Sequence, residues 1–288
     1  MATFKTVMSA ESTLFPPSWV EDLLGKYTGQ MELVAETIIG AAHLSDTDLH
    51  AEVRKTYEKV LKRVSELGYH PVRFWNNVPR ITTPASRQRN RYMVFNEGRY
   101  DALAHFYGNA SHFDQHMPTA TAVNAGGDHV KIFCLCADKP STPLNNPRQV
   151  APYHYSKRFG HLPPCFARAV RLTHPANWLV VGGMAAIRGE DSVYREDLSR
   201  QIQETFTNLA ALIAAARGET CVSQKHTATY LLAYRELRIY FPNLEHESQI
   251  REATRAAFKN VQRVEMVLAD LCREELLVEI EGIAELGE

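Results

Sequence analysis

The sequence predicts an α+β protein of two tandem modules, each a curved mixed β-sheet with helices packed on one face. Three observations lead there. Helix-period and strand-period segments alternate along the chain. The order helix, strand, helix, strand, strand occurs twice, which at this scale marks two copies of one supersecondary unit. The closing strands of the two halves also look alike: TAVNAGGDHVKIFCLCA from Thr121 and VEMVLADLCREELLVEIEGIA from Val264.

Residues 1–30, with Pro16 and Pro17 and little periodicity, read as an arm. Residues 46–67 read as a helix, because Leu49, Val53, Tyr57, Val60, Val64 and Leu67 recur at steps of three and four. Ser45 caps its start and Gly68 ends it. A strand follows over 69–81 through Val72, Phe74 and Trp75. A second helix spans 87–107 through Phe95, Leu103 and Phe106, weakened by Gly98, since glycine costs about 1 kcal/mol against alanine in a helix. Strands at 119–124 and 129–137 close the half around a Gly126-Gly127 turn.

Residues 141–160, rich in Pro, Asn and Tyr, read as a connection. The second half then gives a strand over 177–187. Its first helix spans 195–217, with Leu198, Ile202, Leu209, Leu212 and Ile213 on one face and Gly218 at its end. A strand over 227–241, a helix over 244–260, and strands over 261–269 and 276–283 complete it. The chain divides into an arm at 1–30, a first module at 31–150 and a second at 151–288.

Composition excludes several classes. Lys and Arg number 32 against 33 Asp and Glu, so the basic surplus of a sequence-independent nucleic-acid binder is missing. No segment approaches the roughly 20 apolar residues of a membrane span, and residues 1–19 carry no signal-length apolar run. The five cysteines, Cys134, Cys136, Cys165, Cys221 and Cys272, are too sparse for a disulfide framework and read as reduced thiols. Together these suggest a cytoplasmic protein with no nucleic-acid or membrane partner.

No metal site is expected. Cys134 and Cys136 alternate on a strand without a second ligand pair, and His112 and His116 sit in a polar turn. There is no phosphate-binding glycine loop and no serine nucleophile elbow. In LLVEIEGI, Glu279 and Glu281 share one strand face. They are either solvated glutamates on an edge strand or carboxyls in a cleft, where burial raises the pKa as a general acid requires. The segment NPRQVAPYHYSKRFGHLPPCFARA gathers Arg148, Lys157, Arg158 and Arg168 with Tyr153 and Tyr155. That set suits a small aromatic-like acid, or simply a solvated loop.

The ordered blocks RFWNNVPRI, NRYMVFNEGRYDAL, MPTATAV, NPRQVAPYHYSKRFGHLPPCFARA, WLVVGGMAAIRGEDSVYREDLSRQIQETFTNLAALI and LADLCREELLVEIEGI resemble the chorismatase family, from about Phe74 to Ile283. Chorismatases in turn resemble the Rid family of enamine/imine deaminases, which implies two tandem Rid-like modules. The resemblance implies chorismate as substrate, or a close analogue. Its enolpyruvyl group leaves as pyruvate without metal or cofactor. Glu279 matches the family's acid and would protonate the enolpyruvyl methylene carbon. The first half places Phe133 at the equivalent position, so its site would be degenerate and the pocket would lie near the seam.

Cys272, seven residues before the acid, and Gly183 match the branch that forms 3-hydroxybenzoate. Hydrolysis to a dihydroxycyclohexadienoate, or a mixture with 4-hydroxybenzoate, are the alternative outcomes. The chain departs from the family at Met184, Leu162 and Phe159. This leaves Arg158, Arg168, Arg99 and Tyr155 to bind substrate carboxylates, with Met184 expected to exclude water. Two other readings stay open. One is a Rid-like imine hydrolase, which needs Arg263 or Arg273 paired with Glu279. The other is a non-catalytic binder of small acids. The sequence fixes no oligomeric state.

Overall fold

The computed structural model describes residues 2–7, 16–86, 88–219 and 226–287. Its first strand and helix, β1 (Thr3–Val7) and α1 (Ser18–Lys26), precede a four-stranded unit. That unit comprises β2 (Met31–Ile38), α2 (Asp46–Glu66), β3 (His70–Asn77), α3 (Arg91–Phe106), the short α4 (Phe113–His116), β4 (Thr119–Val123) and β5 (Val130–Ala137). In α2, Ser45 Oγ accepts the Asp48 N–H at 3.2 Å, and Leu49, Val53, Tyr57, Val60 and Val64 are buried. In α3 the Asn90 side chain accepts the Met93 N–H at 2.9 Å. That cap sets the start at Arg91 rather than at 87, a residue outside those described. Gly98 lies where α3 crosses α2: a Cβ there would come within 2.5 Å of the His50 carbonyl oxygen. The residue that weakens the helix by propensity is what lets the two helices approach.

The second unit begins with the edge strands β6 (Thr142–Leu144) and β7 (Ala169–Arg171), then β8 (Trp178–Met184) and the small hairpin β9 (Ile187–Arg188) and β10 (Asp191–Ser192). It continues through α5 (Leu198–Ala216), α6 (Thr227–Leu231), β11 (Tyr234–Phe241), α7 (Glu247–Ala257), β12 (Arg263–Leu268) and β13 (Glu279–Glu285).

The smaller sheet has the order β2-β5-β3-β4, with β3 and β4 parallel and the other pairs antiparallel. The order β8-β13-β11-β12 repeats both the sequence of neighbours and their senses. β1 then adds in parallel to β12, and β7 and β6 add beyond β8, making seven strands.

Helices α2 and α3 cover one face of the smaller sheet, against Phe74, Ile132 and Cys134. Helices α5, α6 and α7 cover one face of the larger, against Leu179, Val181, Leu237 and Ile239. The uncovered faces meet each other. Val72, Trp75 and Leu135 pack there on Val170, Val180 and Ile283, with Trp19, Val20 and Leu23 of α1 closing the layer. The architecture is α+β with mixed sheets and helices on one face of each, as the sequence predicts.

Besides the later start of α3, and an arm whose β1 and α1 are built into the fold rather than lying outside it, four details differ from the sequence reading. β2, with its weak alternation, is a strand the pattern does not reveal. Residues 227–241 are not one strand: the β-branched Thr227 and Thr229 suggest extension, yet α6 forms and buries Tyr230 and Leu231. Helix α5 starts at Leu198, where Asp197 accepts the Arg200 N–H at 3.0 Å, rather than at 195. The last strand begins at Glu279, three residues later than expected, and runs to Glu285. Cys134, Cys136, Cys165 and Cys272 are free thiols, and Cys221 lies outside the described residues. Among the described residues no helix is long and apolar enough to cross a membrane.

Candidate active site

The site is built around an irregularity between β8 and β13. Ile280 pairs with Met184 and Gly282 with Val181, so Gly182 and Gly183 together oppose Glu281 alone. This is a β-bulge, a device that re-aims side chains. β13 is not an edge strand: β11 and β8 flank it. Ile280 and Ala284 point into the core beneath α5. Glu279 and Glu281 point the other way, toward the smaller sheet. There Glu281 accepts hydrogen bonds from Arg73 (2.5 Å), Trp75 (2.8 Å) and Thr121 (2.6 Å).

Above Glu279 lies a cavity that opens to solvent. Both halves of the chain line it. Tyr92 and Arg99 come from α3 and Thr121 from β4. Tyr155, Phe159, Phe166 and Arg168 come from the connection, Gly183 from β8, and Cys272, Arg273 and Leu276 from the loop before β13. Few convergent polar groups in an otherwise apolar wall are what a small-molecule site requires.

The electrostatics separate the two glutamates. Three donors converge on Glu281, the surroundings of an ionised carboxylate. Glu279 is buried, and among the described residues no side chain hydrogen-bonds to it or lies within ion-pair distance. Burial, and secondly the negative Glu281, push its carboxyl up to about 8, while Arg168, Arg73 and Arg273 pull the other way. A carboxyl in that state holds its proton near neutrality and can deliver it. Burial and the nearby Glu279 push the Cys272 thiol up to about 12, which leaves it a neutral thiol rather than a nucleophilic thiolate.

Among the described residues no carboxylate lies within ion-pair distance of the cavity arginines. Arg168 donates to the Tyr155 hydroxyl at 2.5 Å and Arg99 to the Asn96 side-chain Oδ1 at 2.8 Å. The Nε of each is buried without an acceptor among the described residues. Arg273 donates to the Glu190 carbonyl (2.9 Å) and Ser192 (3.0 Å) and lies 4.1 Å over the Phe159 ring. Elsewhere among the described residues the buried Arg73 and Arg238 have carboxylates, Glu281 and Glu265, while Arg91 is held by three backbone carbonyls. A buried cation without a counter-charge is costly, so the pocket is prepared for an anion.

Of the residues picked from sequence, Glu279, Cys272, Tyr155, Arg168, Gly183 and Arg99 all line this cavity. Arg158 does not. Its side chain is 60% exposed and its guanidinium is held by Glu190 (2.7 Å) and Asp191 (2.8 Å). Arg273, named from sequence only as an imine-hydrolase partner, occupies the wall instead. Its signal is its place next to Cys272, in the loop leading to the acid. Tyr92, Thr121 and Phe166 carry no motif that singles them out.

Met184 also departs from expectation. The residue after the bulge faces α5 and is buried in that core, away from the cavity. Phe133 packs against the layer between the sheets. Arg263 is tied to Asp22 at 2.6 Å and Glu236 at 3.4 Å, so it supplies no partner for Glu279. Cys134 and Cys136 are core residues, and His112 and His116 gather at Tyr107.

Comparison with known proteins agrees with this geometry. Residues 26–136 match the family model described as chorismatase FkbO/Hyg5-like, N-terminal. The chain is 30% identical over 286 residues to a 3-hydroxybenzoate synthase of Streptomyces hygroscopicus, covering 93% of this chain and 81% of that protein. It is 30% identical over 236 residues to a chorismatase of Streptomyces rapamycinicus, covering 79% and 68%. A chorismatase crystal structure superimposes with a TM-score of 0.75 at 26% identity, over 89% of this chain and 75% of that one. With two like-ordered sheets, a buried acid between them and this extent of identity, the chain belongs to the chorismatase family.

Proposed function

We propose that this enzyme converts chorismate to 3-hydroxybenzoate and pyruvate, with Glu279 as the general acid. The observation that carries the reading is a buried carboxyl, held protonated, in the same cavity as guanidiniums that no carboxylate among the described residues pairs with. Chorismate is a dicarboxylate ether of a cyclohexadiene. Arg168, Arg99 and Arg273 supply cations for its carboxylates, and Tyr155, Phe159 and Phe166 supply faces for the ring. The second unit, from β6 onward, carries the acid, and the first contributes Tyr92, Arg99 and Thr121 to its wall.

The chemistry follows from where the proton goes. Glu279 protonates the enolpyruvyl methylene carbon, and an oxocarbenium centre forms at the ether carbon. With water excluded, the neighbouring ring hydroxyl is the nearest nucleophile. That hydroxyl adds to the oxocarbenium carbon and loses its proton. Its bond to the ring then breaks with loss of the proton on the ether-bearing ring carbon. The resulting hemiketal collapses, breaking the original ether bond to release the ring as a reprotonated phenol and keeping the former hydroxyl oxygen as the keto oxygen of pyruvate. No water is consumed overall, whereas the hydrolytic outcome consumes one. Neutral Cys272 is a weak hydrogen-bonding group, unsuited to anchoring an attacking water. The free thiols suit a cytoplasmic setting.

Incubation with chorismate, with pyruvate followed enzymatically and ring products resolved by chromatography, tests the reading. Equal amounts of pyruvate and 3-hydroxybenzoate are expected. A dihydroxycyclohexadienoate as main product contradicts the branch, and binding without pyruvate release contradicts the activity.

A further inference from the structure

We propose that the Arg73–Glu281 ion pair is a positioning element for Glu279: it fixes a negative charge beside the acid but outside the cavity wall, and so keeps the acid's proton in place. Three structural facts carry this. Glu279 and Glu281 are two residues apart on one strand, so their side chains leave the same face of β13. Glu281 and Arg73 are fully buried and touch at 2.5 Å, yet neither lines the cavity. Arg73 also donates to the Val181 carbonyl on β8 (2.8 Å) and to Thr121 on β4 (2.5 Å). The guanidinium of the first half thereby ties together the smaller sheet, the strand before the bulge and the strand carrying the acid.

A buried ion pair is weak evidence of stability alone, since desolvation consumes most of the attraction. Here the geometry gives it another use. Arg73 donates to Glu281, Thr121 and the Val181 carbonyl, and it pulls on Glu279 less strongly than Glu281 pushes. The groups facing Glu279 from the other elements are Tyr92 and Arg99 of α3, Arg168 with Tyr155, and Cys272 with Arg273. On β11, Tyr240 stands across from Glu279 and Arg238 across from Glu281. Most of the charges among these are cations, which favour the ionised acid. Glu281, on the acid's own strand face, is the charge that opposes them.

This inference rests on Glu279 being the proton donor. Its test is the pH profile of pyruvate release by the full chain. For Glu281→Gln, the limb where kcat falls with rising pH should move down by about 1 pH unit or more, with KM little changed because Glu281 lies outside the cavity. In Arg73→Met/Glu281→Gln both charges are gone, and the limb should lie between those of Glu281→Gln and the wild type, because Glu281 acts on the acid more strongly than Arg73. A folded Glu281→Gln variant with reduced kcat but an unmoved limb overturns the proposal, leaving the pair a structural strut.

Infrared spectra of the wild-type chain near neutral pH give an arm independent of turnover and of that variant's folding. A protonated carboxyl band that disappears in Glu279→Gln is expected, and a protonated Glu281 contradicts the proposal. A wild-type chain that releases no pyruvate counts against the function itself, whereas turnover with an unmoved limb counts against the ion pair alone.

Discussion

Gly183 Cα lies directly against the Glu279 carboxyl: a Cβ at that position would overlap Glu279 Oε1 and crowd Thr121 Oγ1 at 3.1 Å. The bulge therefore does more than leave space for a ring. It seats the proposed acid in a slot that any side chain would close. Gly183→Ala should push the Glu279 carboxyl off its position and lower kcat for pyruvate release by about 100-fold, the cost of misplacing a reacting group by roughly 1 Å. Steady-state kinetics beside a melting curve checks this. A folded Gly183→Ala with wild-type kcat would show that Glu279 is not held by this contact.

Activity should depend on pH in the sense of a required acid. The Glu279 carboxyl, raised to about 8, is protonated below that pH and ionised above it. The kcat limb assigned to it should be level on the acidic side and fall about tenfold per pH unit on the alkaline side. A profile that rises through this range would identify a base and contradict the assignment.

The unpaired arginines should act in binding. Arg168→Lys and Arg273→Lys keep the charge but lose the planar fork that matches a carboxylate. Each should raise KM by about 10-fold or more, in line with a charge-assisted hydrogen bond of about 1.5–3 kcal/mol. Arg158→Ala should leave KM within about twofold, because Glu190 and Asp191 already occupy that guanidinium outside the cavity. Titration of chorismate or a non-reactive analogue measures all three, and a large KM change in Arg158→Ala alone would reverse the assignment.

The sequence exposes these features unevenly. Helical faces such as Leu49–Val53–Tyr57 are local, and their periodicity shows directly. Glu279 is visible because a carboxyl inside LLVEIEGI conflicts with its apolar neighbours. Arg73 and Arg273 are not visible, since what distinguishes a paired guanidinium from an unpaired one is a partner some 200 residues away or its absence. Arg158 misleads for the same reason: Glu190 and Asp191, its partners, lie more than 30 residues downstream. The bulge at Gly182-Gly183 is a property of two strands in register. It is also why Met184 turns into the core instead of toward substrate.

Cys272 should shape the outcome without reacting. Its thiol, pushed up to about 12, is not a nucleophile near neutral pH. Cys272→Ala should keep pyruvate release within about 10-fold, the lower bound of what general acid–base groups contribute being roughly 100-fold. It should also raise the share of dihydroxycyclohexadienoate by admitting water. Chromatography reads the product ratio, and a covalent adduct on Cys272 seen by mass spectrometry would contradict a spectator thiol.

The most direct test of the account is pyruvate release by Glu279→Gln. Glutamine keeps the size and a hydrogen-bonding head in the slot beside Gly183 but holds no acidic proton. The fold should be retained, with circular dichroism unchanged, and chorismate should still bind through Arg168, Arg99 and Arg273. Single-turnover pyruvate release should fall by about 100- to 10,000-fold, the usual worth of a positioned general acid. Release at a near wild-type rate from a folded Glu279→Gln chain would remove this carboxyl from the chemistry.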